Sequence, residues 1–182
     1  MIFQETSLAG AYIVELDRRH DMRGFFARAF CGKEMLDHGI RFEAVQANIS
    51  HSSRKGTLRG MHYQGEPVSE PKFIRCIRGA VWDVIIDMRP GSPTYLQHIG
   101  VELSADNGRA LYVPDRFAHG NQALADETEL LYLMGGTYTP GFEKGVRYDD
   151  PGIGIDWPVP VTVVDQKDRN WPLLGTPGSA NT

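Results

Sequence analysis

The sequence predicts an all-β protein, a sandwich or barrel carrying one or two short helices. Two observations point there. Twenty glycines and eleven prolines punctuate the 182 residues often. The apolar runs between them are short and rich in Val, Ile, Tyr, Phe and Thr, the composition of strands rather than helices. A third observation is the residue pattern of segment 80–88. Val81, Asp83, Ile85 and Asp87 fall on one face, and Trp82, Val84, Ile86 and Met88 on the other. A strand apolar on both faces is central in a layered structure.

Taken in order, the expected strands are 11–16, 24–30, 44–50, 57–64, 72–78, 80–88, 96–103, 109–114, 118–123, 128–137 and 161–164. One helix is expected at 33–38 (KEMLDH), stopped by Gly39. Arg78-Gly79 reads as a tight turn that folds 80–88 back on 72–78. A chain of this length suits a single domain over residues 1–174. The tail 175–182 (GTPGSANT) lacks apolar anchors and is expected to be disordered.

Charge and cysteine use exclude several classes. A formal net charge of -4 lacks the basic footprint of a nucleic-acid binder. Cys31 and Cys76 are far apart and in no metal-binding spacing, which suits reduced thiols. No stretch reads as a signal peptide or a membrane span, so a soluble cytoplasmic protein is expected.

Chemistry concentrates in GTLRGMHYQ (56–64) and PDRFAHGN (114–121). A lone strand histidine is most often structural, so the reading of His62 depends on its partners. Together the two stretches resemble the paired motifs of the cupin superfamily. In the first motif, usually HxH, this chain has His62-Tyr63-Gln64. In the second, Gly108, Pro114 and His119 keep the spacing, with Arg116 in place of a glycine. Gln64 is a poor transition-metal ligand, and Glu66 or Glu70 would leave the set incomplete. No metal is expected.

A closer resemblance covers residues 17–174. DMRGFFAR (21–28), GTLRGMHYQ, SPTY (92–95), YVPDRFAHG (112–120), YDDP (148–151), IDWP (155–158) and QKDRNWP (166–172) stand in the right order for the dTDP-4-dehydrorhamnose 3,5-epimerase family. The resemblance implies a cupin-type jelly roll that forms a homodimer and uses no cofactor. It implies a nucleotide-diphosphate-linked 4-keto-6-deoxy sugar as substrate, inverted at C3, C5 or both. The implied catalytic residues are His62 as base, Asp168 as its orienting carboxylate, Lys72 at the enolate oxygen and Tyr132 as proton donor. Asp83 competes with Asp168 for the dyad on strand phase alone and is otherwise expected in the pocket wall. Arg23 and Arg59 match phosphate contacts, Tyr138 an aromatic that stacks on the base, and Glu143, Gln46, Asn48 and His119 further substrate contacts.

Two positions and one stretch depart from the family pattern. Arg28 replaces a glutamate that helps to read the nucleotide, Asn121 replaces a phenylalanine, and 133–136 is more apolar and glycine-rich than usual. They make a GDP- or CDP-linked sugar, or a heptose, an alternative to a thymidine substrate. A 3,4-ketoisomerase, a non-catalytic sugar-binding module and a metal-dependent cupin oxygenase are the rival functions. One geometric conflict stands out. Strict alternation puts Arg59 and His62 on opposite faces of their strand, and only a bulge at Gly60 would bring them together.

Overall fold

The computed structural model describes residues 1–174, so the expectation for the 175–182 tail lies outside the described residues. In chain order the elements are β1 (Ile2–Glu5), β2 (Tyr12–Glu15), β3 (Arg19–Asp21), β4 (Gly24–Phe26), α1 (Gly32–Asp37), β5 (Gln46–Ser52), β6 (Thr57–Gln64), β7 (Lys72–Arg78), β8 (Ala80–Asp87), β9 (His98–Ser104), β10 (Ala110–Val113), β11 (Phe117–Ala123), β12 (Thr128–Met134), β13 (Glu143–Gly145), β14 (Val163–Val164) and α2 (Gln166–Arg169). One six-stranded sheet runs β1-β2-β10-β7-β12-β5. A second runs β13-β6-β11-β8-β9, with β14 pairing parallel to β6. The remaining pairings are antiparallel, and β3 and β4 form a separate hairpin. This is the sandwich that the residue pattern predicts.

The two sheets share a core. Ile74, Cys76, Leu111, Val113 and Leu130 from the first meet Val81, Ile85, Val101, Leu103 and Phe117 from the second. β8 divides as its alternation requires. Val81 and Ile85 enter this core, while Val84 and Ile86, with Met88 just past the strand, face outward. Their outer face is covered by the C-terminal stretch through Ile153, Ile155 and Trp157, whose indole Nε1 donates to the Tyr148 carbonyl at 2.8 Å. On the far side, Met35 of α1 with Ile40 and Phe42 covers Phe73 and Tyr112.

Three expectations need correction. The 24–30 strand is only the short β4, paired with β3, and belongs to neither sheet. Arg78-Gly79 does not close a hairpin, because β7 and β8 lie in different sheets and the chain crosses between them there. β1, β3, β13 and α2 were not expected as elements; each has four residues or fewer, too short for a period to show.

The core turns polar along one side of the sandwich. There β6 and β11 face β12 and β5, and His119, Asn121, Tyr132 and Asn48 replace aliphatic side chains. SPTY has a role away from this region. Ser92 and Thr94 donate to Asp87 at 2.5 and 2.7 Å, and the Arg89 guanidinium adds bonds of 2.7 and 2.8 Å. Burial pushes this carboxyl up, but those donors outweigh it and hold it well below the usual carboxylate range.

Candidate active site

A cavity of about 790 Å³ opens on the polar side, between the sheets. Its wall includes Asn48, Arg59, His62, Gln64, Lys72, His119, Asn121, Tyr132, Tyr138, Glu143 and Asp168. β6 resolves the Arg59–His62 conflict. His62 pairs with His119 while Arg59 pairs with Asn121, so three steps on β6 oppose two on β11. The extra residue is a β-bulge. It places Arg59 and His62 on the same side, and Met61 turns into the outer core. Gly60 makes the bulge possible. Its φ is +107°, and a Cβ there would lie 2.5 Å from the His119 carbonyl oxygen.

Behind His62 stands Asp168. One carboxylate oxygen is 3.9 Å from His62 Nε2, ion-pair range rather than a hydrogen bond. The other accepts the Gly60 N–H at 2.9 Å, which ties the carboxylate to the bulge. QKDRNWP supplies this placement. Asp165 caps α2 by accepting the Lys167 N–H at 2.8 Å, and Trp171 packs on Gly145, the residue paired with His62 on β13. Asp168 is therefore 6% exposed rather than a solvated turn residue.

Enclosure in the cavity lowers the His62 imidazole to about 4. Asp168 opposes this, and the positive fields of His119, Lys72 and Lys167 add to it. At neutral pH the ring is uncharged and able to take a proton. Across the cavity, on the other sheet, burial raises the Tyr132 phenol, and the Asp83 charge raises it further. Ser50, Arg59 and Asn121 pull the other way without cancelling the effect. The phenol therefore carries its proton at neutral pH. An uncharged imidazole faces a protonated phenol, as a base and an acid must.

Lys72 lies in phase with Ile74 and Cys76, as its spacing predicts, and points into the cavity with 5% exposure. Its ammonium is 2.8 Å from Glu70 Oε2, and Glu70 Oε1 accepts from Gln64 Nε2 at 3.0 Å. Gln64 also donates to the Thr137 carbonyl at 3.1 Å and accepts the Thr139 N–H at 2.7 Å. All its polar atoms are used in holding the loop that carries Tyr138. The Tyr138 hydroxyl in turn donates to Glu143 at the cavity mouth. No cluster of three metal-ligating side chains occurs among the described residues.

Four placements differ from expectation. Asp83 is fully buried and stands behind His119, both oxygens within 3.0 Å of its Nε2, so it orients His119 and does not form the wall. Arg23 sits on the exposed β3–β4 hairpin, bonded to Asp21, away from the cavity of its own chain. Arg28 pairs with Glu34 on the outer surface. Gln46 lies on the exposed edge strand β5 and donates to Asn48 at 2.9 Å without reaching the cavity. Motif spacing fixes that a residue is present but not where it points. Glu70 and Lys167 were not expected in the wall. For Glu70 the available signal was its position two residues before Lys72, on the same side of the chain.

The family model for dTDP-4-dehydrorhamnose 3,5-epimerase matches residues 5–176. The chain belongs to this family. A dTDP-4-dehydrorhamnose 3,5-epimerase of Methanothermobacter thermautotrophicus is 42% identical over 96% of this chain and 96% of its own length. A dTDP-4-dehydrorhamnose 3-epimerase of Streptomyces niveus is 36% identical over 96% of this chain and 84% of its own. The crystal structure of the Bacillus anthracis 3,5-epimerase, with TDP and PPi bound, superposes with a TM-score of 0.92 at 39% identity, covering 95% of this chain and 99% of that one. The sandwich is thus a cupin-type fold, and the protein is an isomerase: an epimerase of nucleotide-linked 4-keto-6-deoxy sugars.

Proposed function

We propose that the enzyme inverts C3 and C5 of a dTDP-linked 4-keto-6-deoxy sugar, with His62 as base and Tyr132 as acid. The observation that carries this reading is His62, backed by Asp168, and Tyr132 on opposite sheets of one cavity. A C–H next to a ketone is acidic because the resulting anion spreads onto the carbonyl oxygen. His62, oriented by Asp168, takes that proton. Lys72 stabilises the enolate oxygen as charge develops there. Tyr132 returns a proton to the other face. Arg59, Asn48 and His119 contact the sugar and diphosphate, Tyr138 stacks on the base, and Glu143 fixes Tyr138.

Thymidine as the base rests on the relatives' substrates. Inversion at both carbons rests on the 3,5-epimerase being the nearer of the two relatives described. We further propose a cytoplasmic homodimer. Met22, Phe25 and Phe26 on the β3–β4 hairpin and Ile49 on β5 are exposed apolar residues in need of a cover. Arg23, on the same hairpin, would then serve a partner's cavity. No helix among the described residues is long and apolar enough to cross a membrane.

Incubating the protein with a dTDP-linked 4-keto-6-deoxyhexose and resolving the products by NMR tests the reading. Inversion at C3 and C5 is expected. A product with the ketone moved to C3, or no turnover despite binding, overturns it. Light scattering of the purified protein checks the dimer, and a monomer mass refutes it.

A further inference from the structure

Asn121 is buried in β11 with 2% exposure and lines the cavity. Its Nδ2 donates to the Tyr132 hydroxyl at 3.2 Å, a bond that spans the two sheets. Asn121 pairs with Arg59 on β6 and with Asp83 on β8, and His119 is its neighbour on the same face of β11. The His119 ring meets the Tyr132 ring edge-on, with centroids 6.0 Å apart. Tyr132 is thus steered from the opposite sheet by two side chains, of which Asn121 reaches its reacting oxygen, while Ser50 on the neighbouring strand β5 bonds the same hydroxyl.

The chemistry of that bond decides its use. A phenol oxygen has one proton to give and lone pairs to accept with. The amide N–H can only donate. It occupies a lone pair of Tyr132 and leaves the phenol proton free. Once the proton has gone, the same N–H faces an anion, and a hydrogen bond to a charged oxygen is about twice as strong as one to a neutral oxygen. The contact strengthens as the transfer proceeds. An apolar side chain here would leave the phenolate beside Asp83 with one donor fewer.

We propose that Asn121 is a positioning residue for reprotonation: its amide aims the Tyr132 proton at the substrate carbon on the face opposite His62 and holds the phenolate that results. In that step the Tyr132 O–H bond breaks and a C–H bond forms. The enolate electron pair moves to the carbon as the C4 carbonyl is restored. His62 keeps the proton it removed until water exchanges it, and water reprotonates the phenolate. The inference rests on the proposed role of Tyr132 as the acid.

The test uses the whole enzyme and a dTDP-linked 4-keto-6-deoxyhexose in deuterated water. NMR reads two rates: deuterium wash-in with retention, which needs the base, and inversion, which also needs the acid. In Asn121→Leu, wash-in stays within threefold of wild type and inversion falls at least tenfold. Asn121→Asp, nearly isosteric and therefore folded alike, loses inversion as well, because its carboxylate accepts the phenol proton and repels the phenolate. Adding Asn121→Leu to Tyr132→Phe costs no further inversion. A wild-type ratio of inversion to wash-in in both single variants overturns the proposal, as does a parallel fall of both rates. If Tyr132→Phe inverts at the wild-type rate, the acid assignment itself is wrong, and the proposal falls for that separate reason.

Discussion

Gly60→Ala tests the bulge on which the site depends. The substitution adds one methyl group at a backbone φ of +107°. Holding a residue with a Cβ in such a region costs about 1–3 kcal/mol. The methyl would also lie 2.5 Å from the His119 carbonyl oxygen and 2.6 Å from Gly120 Cα. Both are backbone atoms of a buried strand, and overpacking of this kind adds about 1–3 kcal/mol. The sum centres on about 4 kcal/mol, a large part of the 5–15 kcal/mol that holds a typical domain together. At about 3 °C per kcal/mol for this chain length, Tm falls by about 12 °C. Gly91→Ala is the internal control. Its φ is +82° but nothing lies within 4 Å of the added Cβ, so only the conformational term applies. That variant should lose about 1–2 kcal/mol. Calorimetry and guanidinium titration give both numbers, and kcat/KM below the transition reports the site. A Gly60→Ala protein that loses less than Gly91→Ala and turns over normally would refute the reasoning about the bulge.

Asp168→Asn removes the charge that favours protonated His62 and weakens its orientation. It should lower kcat by a factor on the order of 10²–10⁴ with little change in KM, measured by steady-state kinetics. The depressed His62 pKa sets the pH profile. The acid limb of kcat/KM falls well below the ordinary histidine value of 6.5, near pH 4, as far as the fold survives. Stability carries the same sign. The unfolded chain binds more protons at this site between pH 6.5 and about 4, so the His62 contribution is full above 6.5 and is lost as pH falls through that window, which denaturant titrations across pH would follow. Asp87→Ala strands the Arg89 guanidinium and the Ser92 and Thr94 hydroxyls without touching the cavity. It should cost about 3–5 kcal/mol in chemical denaturation while kcat/KM stays within threefold of wild type.

The sequence was most legible where one residue pattern had a single physical outcome. β8 alternates with two apolar faces, and it lies inside the second sheet with each face against its own core. Lys72 in phase with Ile74 had to snorkel or face a cavity, and it faces the cavity. The clash between Arg59 and His62 on an ideal strand points to Gly60 from the sequence alone. The Arg78-Gly79 turn does not reveal its direction in the sequence, because a tight turn looks the same whether the chain pairs back or crosses to another sheet. α2 was invisible because its four residues hold position through the Asp165 cap and Trp171, neither of which sets a period. Arg28 and Gln46 are expected in the site and lie outside the cavity of their own chain, because a motif records residue identity and leaves direction unstated. The partnership of Asn121 with Tyr132 joins residues on opposite sheets, and no spacing along the chain encodes it.

The assignment of the base meets its most direct test in His62→Ala, incubated with a dTDP-linked 4-keto-6-deoxyhexose in deuterated water and followed by NMR. Deuterium wash-in at C3 and C5 should fall to the rate seen in buffer alone, with nucleotide binding and Tm close to wild type. Wash-in at the wild-type rate would contradict the account.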